Sequence, residues 1–449
     1  MNKVYLSILV IIIAGVSCAK SNEEIKAPTL FSAQISVPDS LDDTGNFAGF
    51  HFLLYSRETP GAAADTMFYA ETDSNGFLSG LIEPEQAGVF PLQVSRNGVN
   101  IGMVRLIVSH SDTISITGEI PNNFTVDSRE NRAMERYERV RSGYDRTNRF
   151  ILAGQVPDSL IGREYQKWAD LYWEVFNRNK GSLAAKFALE GTVDILRRID
   201  QPLMFSRLNQ AFDEDLAYGL AATFGKQYVA NTKGLDASVA YLDSVRSLTK
   251  EKDVHKAIDQ SIIKLHFDSA NVDIASELLA KYERKYIKKD EEPSFWYKNI
   301  RYEISNFAPG MGLPDFSFVT AAGDSVNKSG LLGTVYVLEF SRLANSLYQS
   351  QYDESTVIYQ IYNPQGLEYF TIPFDESVNT IIGFFQERNR FWALADPPSF
   401  DAQGIVDDFN VQYFPTRILV DQNGNIVRKF VGEEFEQIIP AITQTLSNN

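Results

Sequence analysis

Short apolar segments with alternating polar positions mark the first third of the chain. Both Phe31–Val37 and Thr113–Thr117 alternate in this way. Turn residues separate such segments, and the stretch Asp73–Phe77 contains an Asn-Gly step of the kind that closes a β-hairpin. A period of two is typical of strands that bury one face. We therefore predict an antiparallel, β sandwich-like domain over residues 29–127.

The hydrophobic period changes in residues 128–305, where glycine and proline become rarer. Tyr165, Trp168 and Tyr172 recur three and four residues apart, a spacing that places them on one face of a helix. Such aromatic stripes are used in the core between helices or in the lining of a groove, and the core is the favoured interpretation. The sequence predicts a helical region.

Strands and helices alternate in residues 306–449. The segments are two apolar strands, a helix and a closing pair of strands around an Asp-Gln-Asn-Gly turn, at Val335–Phe340, Gly366–Pro373, Val378–Arg390, Arg417–Val420 and Ile426–Val431. This order indicates an α/β layer that ends in a hairpin. The expected fold class is therefore multidomain α+β: an N-terminal antiparallel β domain, a central helical region and a C-terminal α/β domain.

The first 17 residues have the pattern of an export signal. One positive side chain, Lys3, precedes the largely apolar run Val4–Val16. The run is shorter than the roughly 20 apolar residues that a spanning helix needs. We predict a signal peptide over residues 1–17 and a polar tether over residues 18–28.

The end of this segment, Gly15-Val-Ser-Cys18, resembles a bacterial lipobox, with Gly15 where leucine is usual. The resemblance implies that Cys18 is lipidated and anchors the protein to a membrane. The alternative is an ordinary signal peptide cleaved near Ala14 or Ser17, which would leave a free thiol. Cys18 is the only cysteine of the chain, so no disulfide can form within it.

Charge and histidine spacing narrow the function classes. The formal net charge is -16 and the isoelectric point is about 4.8, with no basic cluster, which argues against a nucleic-acid partner. The histidines are scattered and show no metal-ligand spacing, so we predict neither a metal site nor a cofactor. They are His51, His110, His255 and His266.

The last region resembles the thioredoxin-like proteins of the TlpA and peroxiredoxin-related group. The matching pieces, in family order, are Gly310–Phe316, Gly323-Asp324, Leu331–Gly333, Phe340, Phe409–Thr416 and Ile418–Gly424. The resemblance implies a thioredoxin-like fold in which Pro415 is the cis-proline that faces the active-site loop.

The chain departs from this family at the active site itself. Where the family has F-W-A-x-W-C-x-x-C, this sequence runs from Phe340 to Tyr348 and places Asn345 and Tyr348 at the two cysteine positions. Thiol exchange needs a thiolate and a sulfur leaving group, and neither residue supplies one. Ser341 and Ser346 would need a base, and no histidine follows His266. We therefore predict no catalytic residue.

Three functions remain open. The first is a non-enzymatic envelope lipoprotein, because the N-terminal region also resembles the β domain that precedes thioredoxin-like domains in Bacteroidetes lipoproteins. It would be anchored to the outer membrane, periplasmic or surface-exposed, and would bind an unknown envelope protein or small ligand through a redox-inactive domain. The second is a thiol-disulfide oxidoreductase or a peroxide-reducing antioxidant enzyme of the TlpA-like group, which would need a thiol from another chain. The third is a solute-binding surface lipoprotein whose tryptophans line a cleft: Trp168, Trp173, Trp296 and Trp392.

Overall fold

The computed structural model describes residues 27–38, 44–57, 64–120, 123–212, 215–288, 291–386 and 388–447. The predicted signal peptide and Cys18 lie outside these residues. The chain divides into two compact units between Ala217 and Tyr218, a boundary inside the segment predicted to be helical. No helix of the described ranges combines the length and the apolar character needed to cross a membrane.

In the described residues of the first unit, eight strands form the β domain. They are β1 Thr29–Ser36, β2 Phe50–Ser56, β3 Asp65–Glu71, β4 Phe77–Ile82, β5 Gly88–Arg96, β6 Val99–Val108, β7 Thr113–Glu119 and β8 Asn123–Asp127. One sheet has the order β4-β1-β7-β8 and the other β3-β2-β5-β6. All pairs are antiparallel except β1 with β7. The alternating apolar residues of both sheets share one core that includes Phe31, Phe52 and Ile116.

The predicted Asn-Gly turn joins β3 to β4. The Asp73 carboxylate accepts hydrogen bonds from the backbone amides of Asn75 and Phe77, both at 2.9 Å. Gly76 has a φ of 77°, a left-handed conformation that glycine adopts without strain. The side chain and the glycine together close the turn as the sequence predicted.

Within residues 123–212, four helices follow the strands: α1 Arg129–Leu152, α2 Asp158–Arg178, α3 Leu183–Ile199 and α4 Gln201–Gln210. Ser128 caps α1, and the Asn131 side chain exchanges two 3.0 Å hydrogen bonds with the backbone of Ile107 on β6. Tyr172 on α2 is buried against the rings of Tyr137 and Tyr144. The aromatic stripe of α2 thus contributes to the core between helices.

The second unit begins within helix α5 Asp215–Leu220 and continues as a helical array. The array contains α6 Lys226–Lys233, α7 Leu235–Leu248, α8 Lys252–Asp268, α9 Val272–Tyr286 and α10 Phe295–Asn306, and the π-helical turn Ala221–Gly225 separates α5 from α6. Helices α8, α9 and α10 share a core that includes Ile263, Tyr282 and Ile300.

The C-terminal α/β domain follows. Its elements are β9 Ser317–Val319, β10 Ser325–Asn327, β11 Val335–Ser341, α11 Ser346–Tyr362, β12 Leu367–Pro373, α12 Val378–Gln386, β13 Ala393–Leu394, α13 Ala402–Asp408, β14 Thr416–Val420, β15 Ile426–Val431 and α14 Ile438–Ser447. The central sheet has the order β13-β12-β11-β14-β15, with β11, β12 and β13 parallel and the last two strands antiparallel.

Strand β11 occupies the middle of this sheet, and every residue from Val335 to Ser341 is buried. A continuous apolar run is what a strand covered on both faces requires. The Asp421 carboxylate accepts from the amides of Asn423 and Asn425, both at 2.9 Å, and forms the predicted turn between β14 and β15. The predicted fold class is confirmed as multidomain α+β: a β-rich N-terminal domain, a helical middle and a C-terminal α/β domain.

Candidate functional site

The candidate site is the loop between β11 and α11, which carries the two positions that the resemblance assigns to cysteines. Strand β11 ends at Ser341, and Asn345 is the N-cap residue of α11. Tyr348 lies in the first turn of that helix. The peptide bond between Phe414 and Pro415 is cis.

Asn345 makes three hydrogen bonds, and one of them connects the helix to the proline loop. Its Oδ1 accepts from the backbone amides of Leu347 at 2.9 Å and Tyr348 at 3.2 Å. Its Nδ2 donates to the carbonyl oxygen of Phe414 at 3.3 Å. The N-terminal amides of a helix are the groups that lower the pKa of a thiolate placed there. Here an uncharged amide side chain already satisfies them.

Asp375, which follows β12, fixes the rest of the loop. Its carboxylate accepts from the backbone amides of Leu343 at 2.7 Å and Ala344 at 3.1 Å. The Gln349 side chain donates to the carbonyl of Leu343 at 2.9 Å. Three side chains, those of Asn345, Asp375 and Gln349, therefore hold the backbone between β11 and α11. The amides of Leu343 and Ala344 are already bonded to Asp375.

Tyr348 is part of the core. It is 1% exposed and packs against the rings of Tyr352 and Phe384. Burial, together with the nearby Glu339 carboxylate, raises the pKa of its hydroxyl well above the ordinary value for tyrosine. The Tyr348 hydroxyl therefore stays protonated at neutral pH and is no nucleophile.

A buried ion pair lies directly beneath this loop. Glu339 on β11 and Arg417 on β14 are paired across the sheet and are both 0% exposed, with Nε of the arginine 2.6 Å from Oε2 of the glutamate. Tyr369 donates to Oε2 at 2.8 Å and Thr371 donates to Oε1 at 2.7 Å. The arginine Nη1 donates to Oε1 of Gln351 at 2.8 Å.

This pair neutralises the Glu339 carboxylate. Burial opposes the charge of the guanidinium, but Glu339 and Tyr369 offset that effect, and the pKa of Arg417 is raised. The carboxylate oxygens are occupied by a cation and two hydroxyls, so the group is not placed to take a proton from a reacting atom at the loop.

Sequence reasoning did not identify this ion pair, although the signal was present. Glu339 interrupts an otherwise apolar run, and Arg417 begins the apolar segment that pairs with it. A charged residue in a fully buried strand needs a partner of opposite charge. Two such interruptions in neighbouring strands therefore indicate a pair.

Neither serine of the loop is hydrogen-bonded to a base among the described residues. The Ser341 hydroxyl is buried and has no hydrogen-bond partner among the described residues, while Ser346 is exposed. His255 and His266 both lie on α8, away from the loop in sequence and on another element. In the described ranges no three His, Cys, Asp or Glu side chains are grouped so that they could hold a metal ion.

The four tryptophans have different surroundings. Trp168 and Trp173 lie on α2 of the first unit, where Trp173 stacks on Phe176 at 4.9 Å. Trp392 is buried in the core of the C-terminal domain and donates to Thr371 Oγ1 at 2.8 Å. Trp296 on α10 is half-buried and lines a cavity.

Comparison with known proteins gives weak similarities only. No family model matches the chain, and no curated protein matches it. Among solved structures it is similar to the thioredoxin domain of a thiol-disulfide oxidoreductase from Bacteroides vulgatus, with 20% identity, a TM-score of 0.27, and coverage of 30% of this chain and 96% of that one.

Two further solved structures are similar at the same level. A thiol:disulfide interchange protein of the thioredoxin family from Chlorobium tepidum has 17% identity, a TM-score of 0.27, and coverage of 31% and 98%. A thiol:disulfide interchange protein from a Bacteroides species has 18% identity, a TM-score of 0.26, and coverage of 29% and 88%. Because identity is at most 20% in these three and the TM-scores are below 0.5, the activities in these names belong to those proteins.

Proposed function

We propose that this protein is an envelope lipoprotein whose thioredoxin-like domain has lost its redox function and serves as a binding or interaction module. The observation that supports this proposal best is the environment of Asn345. Its amide occupies the helix start with hydrogen bonds to two backbone amides and to the loop before Pro415. The side chain at this position therefore supplies neither a sulfur nor a charged nucleophile.

The absence of thiol chemistry can be measured directly. The purified mature protein is assayed for reduction of insulin disulfides and of glutathione disulfide, with a thioredoxin as the positive control. We expect no turnover above the blank. The Cys18→Ser variant serves as the matched control, since turnover that disappears in this variant belongs to a free Cys18 thiol and contradicts the proposal.

The membrane anchor is the second part of the proposal, and it depends on Cys18. Mass spectrometry of the N-terminal peptide of the mature protein is expected to find an acylated cysteine. The Cys18→Ser variant is expected to move from the membrane fraction to the supernatant. An unmodified Cys18 that takes part in reversible oxidation would contradict both the anchor and the redox-inactive role.

One observation favours solute binding as a second candidate function. Trp296 and Tyr413 line a cavity of about 370 Å³ in the second unit. This volume lies within the range of small-molecule pockets, which combine aromatic walls with a few polar groups. The cavity provides a place for a small ligand, independent of the loop that carries Asn345.

A further inference from the structure

The cavity lies between the helical array and the C-terminal domain of the second unit. Its walls come from α6, α8 and α10, from β15, and from the loop that precedes Pro415. Aromatic groups, Trp296 and Tyr413, form part of the lining, and so do the charged side chains of Lys226, Lys264 and Lys429. A half-open cavity with this mixture of groups suits a ligand that is polar at one end and apolar at the other.

Two of the three lysines are already paired. Lys264 Nζ is 2.6 Å from Oδ1 of Asp268 and 3.2 Å from Oε1 of Glu434. Lys429 Nζ is 2.6 Å from Oε1 of Glu303 and also donates to two backbone carbonyl oxygens. These two ammonium groups have their positive charge balanced within the protein.

The third, Lys226, has no such partner. Its side chain is only partly accessible, and its ammonium makes no hydrogen bond or ion pair with any described residue. Burial lowers the pKa of Lys226 to about 8; Asp268 and Glu434 raise it, while Lys264 and Arg428 lower it further. Since Asp268 and Glu434 act on this ammonium at a distance and form no ion pair with it, an anion that enters the cavity stabilises its charge.

The charges around Lys226 set the charge of that anion. Four cationic side chains, Lys226, Lys264, Lys429 and Arg428, are accompanied by three carboxylates, Asp268, Glu303 and Glu434, which leaves one positive charge in excess. A monoanion balances this excess. A dianion would meet the Glu303 and Glu434 carboxylates, which line the same cavity.

We infer that the cavity binds a small monocarboxylate with a planar apolar body, its carboxylate on the Lys226 ammonium and its ring beside Trp296. This inference rests on the proposed binding role and names the ligand class. The ring of Trp296 already packs against Tyr282 at a centroid distance of 5.1 Å, so a fixed aromatic wall is available. The Gln260, Asn299 and Gln412 amides supply further polar contacts.

The test compares acids with their neutral amides. Benzoate and indole-3-acetate are titrated into the purified mature protein at pH 7, and so are benzamide and indole-3-acetamide, with calorimetry and tryptophan fluorescence as readouts. At least one acid is expected to bind saturably and roughly tenfold or more tightly than its amide, because only the acid pairs with the ammonium. Binding is also expected to weaken roughly tenfold between pH 7 and pH 9, as Lys226 loses its proton.

Two lysine variants test whether the carboxylate of the ligand binds to Lys226. Lys226→Met is expected to remove the preference for the acid over the amide, while Lys233→Met, at an exposed lysine of the same helix, is expected to retain it. Equal affinity for acid and amide in the parent protein would overturn the inference, and so would tighter binding of inorganic phosphate or no saturable binding of either acid. These results are distinct from turnover in the disulfide assays, which would overturn the proposed function instead.

Discussion

Replacing Arg417 with methionine removes one partner of the buried ion pair and leaves the other. The guanidinium is 0% exposed and is the only cation bonded to Glu339 in the part of the chain that the structure describes; the other partners there are the hydroxyls of Tyr369 and Thr371. Breaking a buried pair in this way costs about 3–5 kcal/mol, because a carboxylate is left buried without compensation. Against the 5–15 kcal/mol that stabilises a typical domain, this loss is large.

A double-mutant cycle separates the pair from its surroundings. Glu339→Gln alone leaves the guanidinium buried without a carboxylate and is expected to lower the unfolding free energy by a similar amount. The combination Glu339→Gln/Arg417→Met buries no charge, and the amide oxygen still accepts from a hydroxyl. We therefore expect the double variant to be less destabilised than the sum of the single variants by at least about 2 kcal/mol.

The assay is urea unfolding followed by tryptophan fluorescence. A background in which Trp168 and Trp173 are phenylalanine leaves Trp296 and Trp392 as the emitters, both in the second unit. With a urea dependence of about 2–3 kcal/mol per molar, Arg417→Met is expected to lower the midpoint by roughly 1–2 M. Lys298→Met, which breaks an exposed pair with Glu292, is the control and is expected to cost less than about 1 kcal/mol. The reasoning is wrong if Arg417→Met unfolds at the parent's midpoint or if the single costs simply add.

Three further changes test other contacts. Asn345→Ala removes the N-cap of α11 and is expected to lower the unfolding free energy by about 1 kcal/mol, measured by urea unfolding. Asn345→Asp keeps a hydrogen-bond acceptor and is expected to lower it by less. Equal losses in the two variants would contradict the capping role. Lys429→Met is expected to cost about 3 kcal/mol or more, since Glu303 is then buried without a cation and keeps only its hydrogen bond from Asn410, and adding Glu303→Gln should restore much of it; no recovery would speak against the pair. The unfolded chain holds the Lys226 proton up to its ordinary pKa of 10.5, while the folded protein loses it at about 8, so raising the pH across that window favours folding. The unfolding free energy of the parent minus that of Lys226→Met is therefore expected to grow between pH 8 and pH 10, and a constant difference would refute it.

The fold was predictable where hydrophobic period and turn chemistry agree. Strand β15 has the predicted bounds Ile426–Val431, and the Asp421 turn before it forms through side-chain hydrogen bonds that the sequence pattern encodes. Strand β3 was not predicted, because Phe68 is its one fully buried side chain and no alternation marks it. The helix predicted over Val378–Arg390 ends at Gln386. Ends of this kind depend on tertiary contacts and lack a sequence signal here.

At the candidate site, the sequence predicts which residue types are present, but it does not predict the contacts that they make. The sequence shows that Asn345 and Tyr348 stand at the cysteine positions, and so identifies the missing chemistry. It does not show that Asn345 joins α11 to the loop before Pro415, since Phe414 is 69 residues away in the chain. The cavity around Lys226 depends on the packing of α6 and α8 against β15, and no local motif encodes such packing.

The contact between Glu303 and Lys429 also determines how the C-terminal domain can be isolated. A fragment cut at residue 306, where the resemblance to thioredoxin-like proteins begins, loses α10 and with it the carboxylate that compensates Lys429. Its ammonium would be left with two backbone carbonyl oxygens and no carboxylate. A fragment that begins ahead of Ser294 keeps the N-cap of α10 and the Glu303 carboxylate, whereas one that begins at Tyr218 also keeps the core that α10 shares with α8 and α9.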